Sequence, residues 1–253
     1  MQKVMKKNTF NEIPKQYENL LHLPTAELLN RFGEGNATPG SGSAAALMAL
    51  LASSIICALA KLTISSLTKK AVDEKNSEKA ASIAERLKTA KSIVKGLEED
   101  IVPQLKDLFE DDSREFQEAI DARKKRDNTT DYFTKKSCDA LALNKLITAN
   151  EILLKIADLS FEICDHGLSI WSIGLNYAKG DAGAGINGSL AAITTCLQVA
   201  YVNVQTLAKE SDQKEARKAK QACAKIQNKL VEKQREFNTA SQNFYTSIST
   251  KVK

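Results

Sequence analysis

Apolar positions along this chain recur at steps of three and four, the spacing of one face of an α-helix. No stretch of useful length alternates with the period of two that a half-buried strand requires. A first helical stretch over residues 20–32 is interrupted at Pro24, with Thr25 placed to cap the segment from Ala26 to Phe32. No charge occurs between Glu34 and Lys61, so residues 43–60 predict a helix buried on all sides. From Glu74 onward, Ile83, Leu87, Ala90, Val94, Leu97, Ile101, Leu105 and Leu108 mark a long amphipathic helix, kinked or restarted at Pro103 and continuing to Ala122. Residues 123–130 (Arg-Lys-Lys-Arg-Asp-Asn-Thr-Thr) read as a charged loop. Helical periodicity resumes over 132–159 and 161–177. Residues 179–185 read as a second small-residue loop, before a second charge-free helix at 189–207 and an amphipathic one from Lys209 to about Phe244. The expectation is an all-α fold: a single-domain bundle (residues 1–253) of long antiparallel helices around two buried small-residue helices. Residues 1–20 form a mobile or peripheral arm, and 209–253 hold a long C-terminal helix.

Composition agrees. Aromatics make up 6% of residues, Gly and Pro number 11 and 4, and good helix formers dominate. The two charge-free runs are long enough to raise a membrane span, but their Ala and Ser content and the lack of flanking aromatics favour burial inside a protein. Opposing charges of 36 and 31 leave a net +5, a mixed surface unlike that of a dedicated nucleic-acid binder and compatible with a small polyanion. The five cysteines, an odd and scattered set without C-x-x-C, argue against a disulfide framework or a zinc site and for a reducing compartment. The basic N-terminus leads into polar residues rather than an apolar core, so no signal peptide is expected and the cytoplasm is the default.

One device occurs twice: a Gly-rich segment running into an uncharged helix. The first holds Pro39, Gly40, Ser41, Gly42 and Ser43; the second holds Gly180, Asp181 and Gly183. Helix N-termini carry unpaired N–H groups and partial positive charge, and Gly lets a ligand approach the backbone. The two segments are expected to wall one anion- or amide-binding cleft.

The segment from Thr38 to Ser43, followed by Ala44-Ala45-Ala46, resembles the P-G-G-G-S signature of the formiminotetrahydrofolate cyclodeaminase / methenyltetrahydrofolate cyclohydrolase family. Asp112-Ser113-Arg114-Glu115-Phe116 resembles its D-[AS]-x-x-F element. Gly180-Asp181-Ala182-Gly183 and Tyr201-Val202-Asn203-Val204 resemble its S-D-A-G turn and A-x-x-N-V helix end. The order and spacing hold from about Leu23 to Lys253. Ser41 replaces the signature's middle Gly, and a second register sets Asn187 near the family's acid instead of Asp181.

The resemblance implies an enzyme of folate one-carbon metabolism that closes or opens a ring at a tetrahydrofolate derivative, by cyclodeamination or by cyclohydrolysis. Neither reaction needs a metal or a tightly bound cofactor. Residues 43–60 and 189–207 are apolar on more faces than one small helical core covers. The resemblance points the same way, to a homodimer contacting through part of residues 44–60. The mixed charge and small-residue content give no nucleic-acid or membrane partner to expect. Asp112 is then the first candidate acid/base and Asp181 the second, with Pro39, Gly40, Ser41, Gly42, Ser43, Phe116, Gly180 and Gly183 contacting substrate. By composition alone, the run Glu110-Asp111-Asp112 would be a solvated face, and Asp181 a helix cap. A non-catalytic relative binding a folate-like ligand or a protein partner is the alternative. Cys57 and Cys196 read as core, His22 as surface, and Trp171 as packing or, less simply, a stacking partner for a pterin. His166 lies outside the matched motifs. The run Arg123-Lys124-Lys125-Arg126 reads as a solvated loop or as a landing site for the carboxylates of a folate glutamate tail.

Overall fold

A computed structural model describes residues 19–210 and 213–249; the expected arm over residues 1–20 falls almost wholly outside them. Among the described residues there is no strand. The helices are α1 (Thr25–Gly33), α2 (Ser41–Asp73), α3 (Ser77–Lys95), α4 (Val102–Asp127), α5 (Tyr132–Ile173), α6 (Lys179–Glu210) and α7 (Gln213–Ser249). Asn76 caps α3 by accepting the N–H groups of Glu78 and Lys79, and Asp131 caps α5 by accepting that of Thr134. Between α3 and α4 the backbone makes a π-helical turn, Gly96–Ile101, immediately before Pro103. Pro has no N–H to donate, so the widened turn lets one bent rod continue where a strict helix would break.

Four long helices form an up-down-up-down ring in which α2 touches α4, α4 touches α5, α5 touches α6, and α6 returns to α2. Paired residues give the directions. Ser43 of α2 bonds Asp112 of α4, while Lys61, far along α2, bonds Glu98 just before α4. Lys145 of α5 bridges Glu115 and Glu118 of α4. α3 flanks α2, and α7 covers α6 and α5.

Two predicted loops are helical instead. Arg123–Asp127 completes α4, leaving a short connection before Asp131. Residues 179–185 open α6 rather than preceding it. Their glycines mark close helix crossings, not turns: a Cβ on Gly185 would lie 2.6 Å from Ile56 Cγ1, and one on Gly188 3.2 Å from Ala52 Cβ. Small side chains thus bring α2 and α6 together. Ser41–Val72 and Asn176–Lys209 are long and apolar enough to cross a bilayer, but neither is buried on all sides as the charge-free runs suggested, since Leu51, Leu62 and Val202 are exposed. In the bundle their inward faces supply much of the core, including Ala45, Ala49, Ile56, Ile186, Ile193 and Ala200.

Candidate active site

The site lies at the end of the bundle where α2 begins and α6 ends. The chain leaves α1, passes Gly35 at φ +78°, which glycine alone adopts without strain, and runs through Pro39 into α2. Thr38 Oγ1 donates to Gln117 Oε1 at 2.9 Å, and Phe32 meets Phe109 edge-to-face at 6.4 Å, so the segment is held over α4. No side chain caps α2 at Gly40. The helix begins two residues earlier than the sequence suggests, and Ser41, Gly42 and Ser43 form its first turn.

Asp112 meets that turn. The carboxylate is 6% exposed and accepts the Ser43 hydroxyl at 2.8 Å. Ser43 Oγ also lies 2.9 Å from Ser113 Oγ; with its one proton given to Asp112, it accepts from Ser113. Burial pushes the Asp112 carboxyl above the usual carboxylate range, and the hydroxyl and main-chain N–H of Ser43 oppose that rise without cancelling it. Gly42 makes the contact possible: a Cβ there would fall 2.5 Å from Asp112 Cγ. Neither Gly40 nor Gly42 has a positive φ, so the glycines serve close approach and not unusual backbone angles.

All four ring helices wall the resulting cleft of about 430 Å³. α2 supplies Ser41, Gly42 and Ala44, α4 Asp112 and Phe116, α5 Ala149 and Leu153, and α6 Val199 and Asn203. Pro39 and Gly40 line it at the entry to α2. Asn203 went unassigned at the sequence level, although it sits in a quoted motif. It is 6% exposed and, among the described residues, makes no side-chain hydrogen bond. An amide so placed has both a donor and an acceptor to offer a ligand in the cleft. Its sequence signal is a lone amide on the inward face of a charge-free helix.

The second Gly-rich segment does not join this cleft within the protein chain. Asp181 is exposed in the first turn of α6, 22 positions before Asn203 and so about 33 Å away along the helix. Asn187 is exposed and about 24 Å from Asn203 by the same measure. Gly183 packs near Trp171 and Phe237, and a Cβ on Gly180 would meet nothing within 4 Å. Trp171 is buried against Phe237 and Phe244, with Lys179 over its ring, and so packs far from the Asp112 cleft. His166 is half-buried beside Gly96, where burial lowers its pKa. His22 is exposed. Burial, then the Asp112 charge, pushes the Cys196 thiol far up, and Cys57 is likewise raised by burial, so both stay protonated core side chains. Among the described residues no cluster of His, Cys, Asp and Glu has the geometry to hold a metal.

Three comparisons bear on identity. No curated protein sequence matches the chain. Among solved structures, the formiminotetrahydrofolate cyclodeaminase of Thermotoga maritima superposes with a TM-score of 0.62. The match covers 92% of this chain and all of that one at 17% identity, which establishes a shared fold. The sequence pattern of the formiminotransferase-cyclodeaminase family matches residues 24–225, the span that contains every helix of the cleft. The chain belongs to the formiminotransferase-cyclodeaminase family.

Proposed function

We propose that the protein catalyses cyclodeamination of formiminotetrahydrofolate, with Asp112 as the proton-transfer group. The observation that carries this reading is the buried Asp112 carboxyl, held against Gly42 and Ser43 in a cleft that all four bundle helices wall. The reaction joins N10 of the folate to the formimino carbon on N5 and expels ammonia. Protonated Asp112 gives its proton to the formimino nitrogen, making the carbon electrophilic. After N10 attacks, the carboxylate takes the N10 proton and returns it to the leaving nitrogen. The C–N bond to that nitrogen then breaks, leaving a methenyl bridge. One group serves as acid and base in turn, so a carboxyl raised towards neutrality suits both halves. Phe116 and Phe32 offer faces for a pterin to stack on, and the Asn203 amide matches the donor–acceptor edge of its lactam. Hydrolysis of the methenyl bridge uses the same carbon and the same proton carrier, and is the companion activity to assay. Asp181, about 33 Å from Asn203 along α6, does not reach this cleft within the same chain.

The test is the near-ultraviolet band of methenyltetrahydrofolate. Wild type develops it from formiminotetrahydrofolate, and Asp112→Asn, which keeps shape but exchanges no proton, loses roughly 10²–10⁴-fold in kcat, the range of a general acid/base. Full activity in Asp112→Asn removes the residue from the reaction. Folate binding by wild type without turnover would leave a non-catalytic ligand-binding protein.

We also infer a homodimer formed through α2 and α6. Leu47, Met48, Leu51, Ile55, Ala58 and Leu62 make a half-buried to exposed apolar stripe along α2. Beside it α6 presents Ala184, Asn187, Ala191, Gln198 and Val202, and carries no charge between Asp181 and Lys209. A continuous uncharged face of this kind is what a twofold partner covers.

A further inference from the structure

A pocket of about 70 Å³ lies between α5, α6 and α7, and Asn150 of α5 lines it. Asn150 is 3% exposed, and its Oδ1 is buried without a donor. Among the described residues its side chain makes no hydrogen bond. A buried carbonyl oxygen left this way is costly, so a place that keeps one is suited to a donor from outside the chain. The walls offer no such donor. Ile147, Leu154 and Leu207 make an apolar floor, and α7 closes it with Ala219 and Ala222.

The rim carries Glu151, Glu215 and Lys218. Lys218 is paired with Glu215 at 3.7 Å. Glu151 is exposed and has no ion pair among the described residues, so the rim keeps one uncommitted negative charge. A small cation that donates N–H bonds fits both the orphaned carbonyl and this carboxylate.

The pocket stands close to the Asp112 cleft. Leu146 of α5 and Leu207 of α6 pack in one cluster with Ala216 of α7. The two helices run antiparallel, so Asn150 and Asn203, each one turn further from that cluster, stand at the same level. Asn203 faces the cleft and Asn150 the pocket, while Ala149, beside Asn150, lines the cleft as well. One helix interface separates the two spaces.

We propose that this pocket is an ammonium site, which receives the nitrogen expelled from the folate in the first cleft. The inference rests on the cyclodeaminase reading for the source of that nitrogen. Ammonia set free in the cleft takes a proton from water, and the resulting ammonium donates to the Asn150 carbonyl while Glu151 balances its charge. Water would satisfy the carbonyl but not the charge, and potassium would balance the charge but donate nothing.

The test is thermal melting of the full chain in ammonium chloride against potassium chloride at equal concentration. Ammonium at ten times its Kd is expected to raise the Tm of wild type by about 3–5 °C over potassium. Asn150→Leu, which puts an apolar side chain of similar size among Ile147 and Leu154, should lose that difference, and Glu151→Gln should lose most of it. Should Asn150→Leu fail to fold, Glu151→Gln at its exposed position decides. No difference between the salts in wild type, or a difference that the folded variants keep, overturns the site. Turnover supplies the second readout: ammonium chloride should slow formiminotetrahydrofolate conversion by wild type more than potassium chloride does, and Asn150→Leu should raise the inhibitory concentration about tenfold. Equal inhibition in wild type and Asn150→Leu overturns the pocket as the product's site. A wild type that shows the Asn150-dependent shift in Tm but converts no formiminotetrahydrofolate overturns the cyclodeaminase reading and leaves the ammonium site standing.

Discussion

At the scale of the residue, the burial that makes Asp112 the proposed proton carrier also carries a cost in stability. A carboxyl whose folded-state pKa lies above its unfolded value favours the folded protein most when protonated, below the ordinary Asp pKa of 3.8. That contribution is lost as pH rises through the folded pKa, because the folded chain must then hold a charge in a buried place. Asp112→Asn removes the titration while keeping an acceptor for Ser43. Its melting temperature should therefore exceed that of wild type at neutral pH, with the gap narrowing towards pH 4 and closing below it. Thermal melts between pH 3.5 and 8 check this, and parallel curves would mean that Asp112 titrates normally. The family resemblance alone singled Asp112 out in the sequence, while by composition the acidic run Glu110-Asp111-Asp112 favoured solvent for it. Tertiary placement decided otherwise, because α2 delivers a residue without a side chain to the point where the carboxylate sits.

At the element scale, one glycine pattern serves two different ends. The segments at 40–42 and 180–185 look alike in sequence, yet only the first lies at a cleft. In α6 the glycines lie inside the helix, where Gly185 and Gly188 allow α2 to cross within reach of Ile56 and Ala52. A branched side chain at Gly185 has to push the helices apart. Gly185→Val is expected to cost about 1–3 kcal/mol, a fall of several degrees in Tm. At Gly180, where a Cβ meets nothing, Ala should leave the melting temperature unchanged or raise it slightly through its better helix propensity. Equal effects at the two positions would refute the crossing as the reason for Gly185. The π turn before Pro103 is the opposite case: the residue that forced it was plain in the sequence.

For the whole molecule, the question is what covers the uncharged face of α2 and α6. Ala52, though central in the charge-free run, is 1% exposed and packs inside the chain near Gly188, so a charge there would unfold the bundle. Leu51, its neighbour, is 63% exposed on the stripe. Leu51→Glu is therefore the informative substitution. Wild type should sediment as a dimer at micromolar concentration and Leu51→Glu as a folded monomer. A monomeric wild type with full turnover would refute the dimer. Because Ser41 and Ala44 of the same helix line the cleft, separating the subunits should also reduce activity.

Local chemistry alone determined the helical class, the uncharged character of α2 and α6, the bend at Pro103 and the ordered motifs that carry the family resemblance. Each rests on residues close enough in sequence to act through one helix face or one turn. The tertiary structure decided which of two Gly-rich segments lines the Asp112 cleft, that residues 123–127 and 179–185 are helical, and that Asp112 is buried while Asp181 is not. It also decided that Asn203 joins the cleft and that Asn150 lines a smaller pocket beside it. These depend on which helices become neighbours and at what register, which burial across the whole bundle sets and no single stretch of sequence contains.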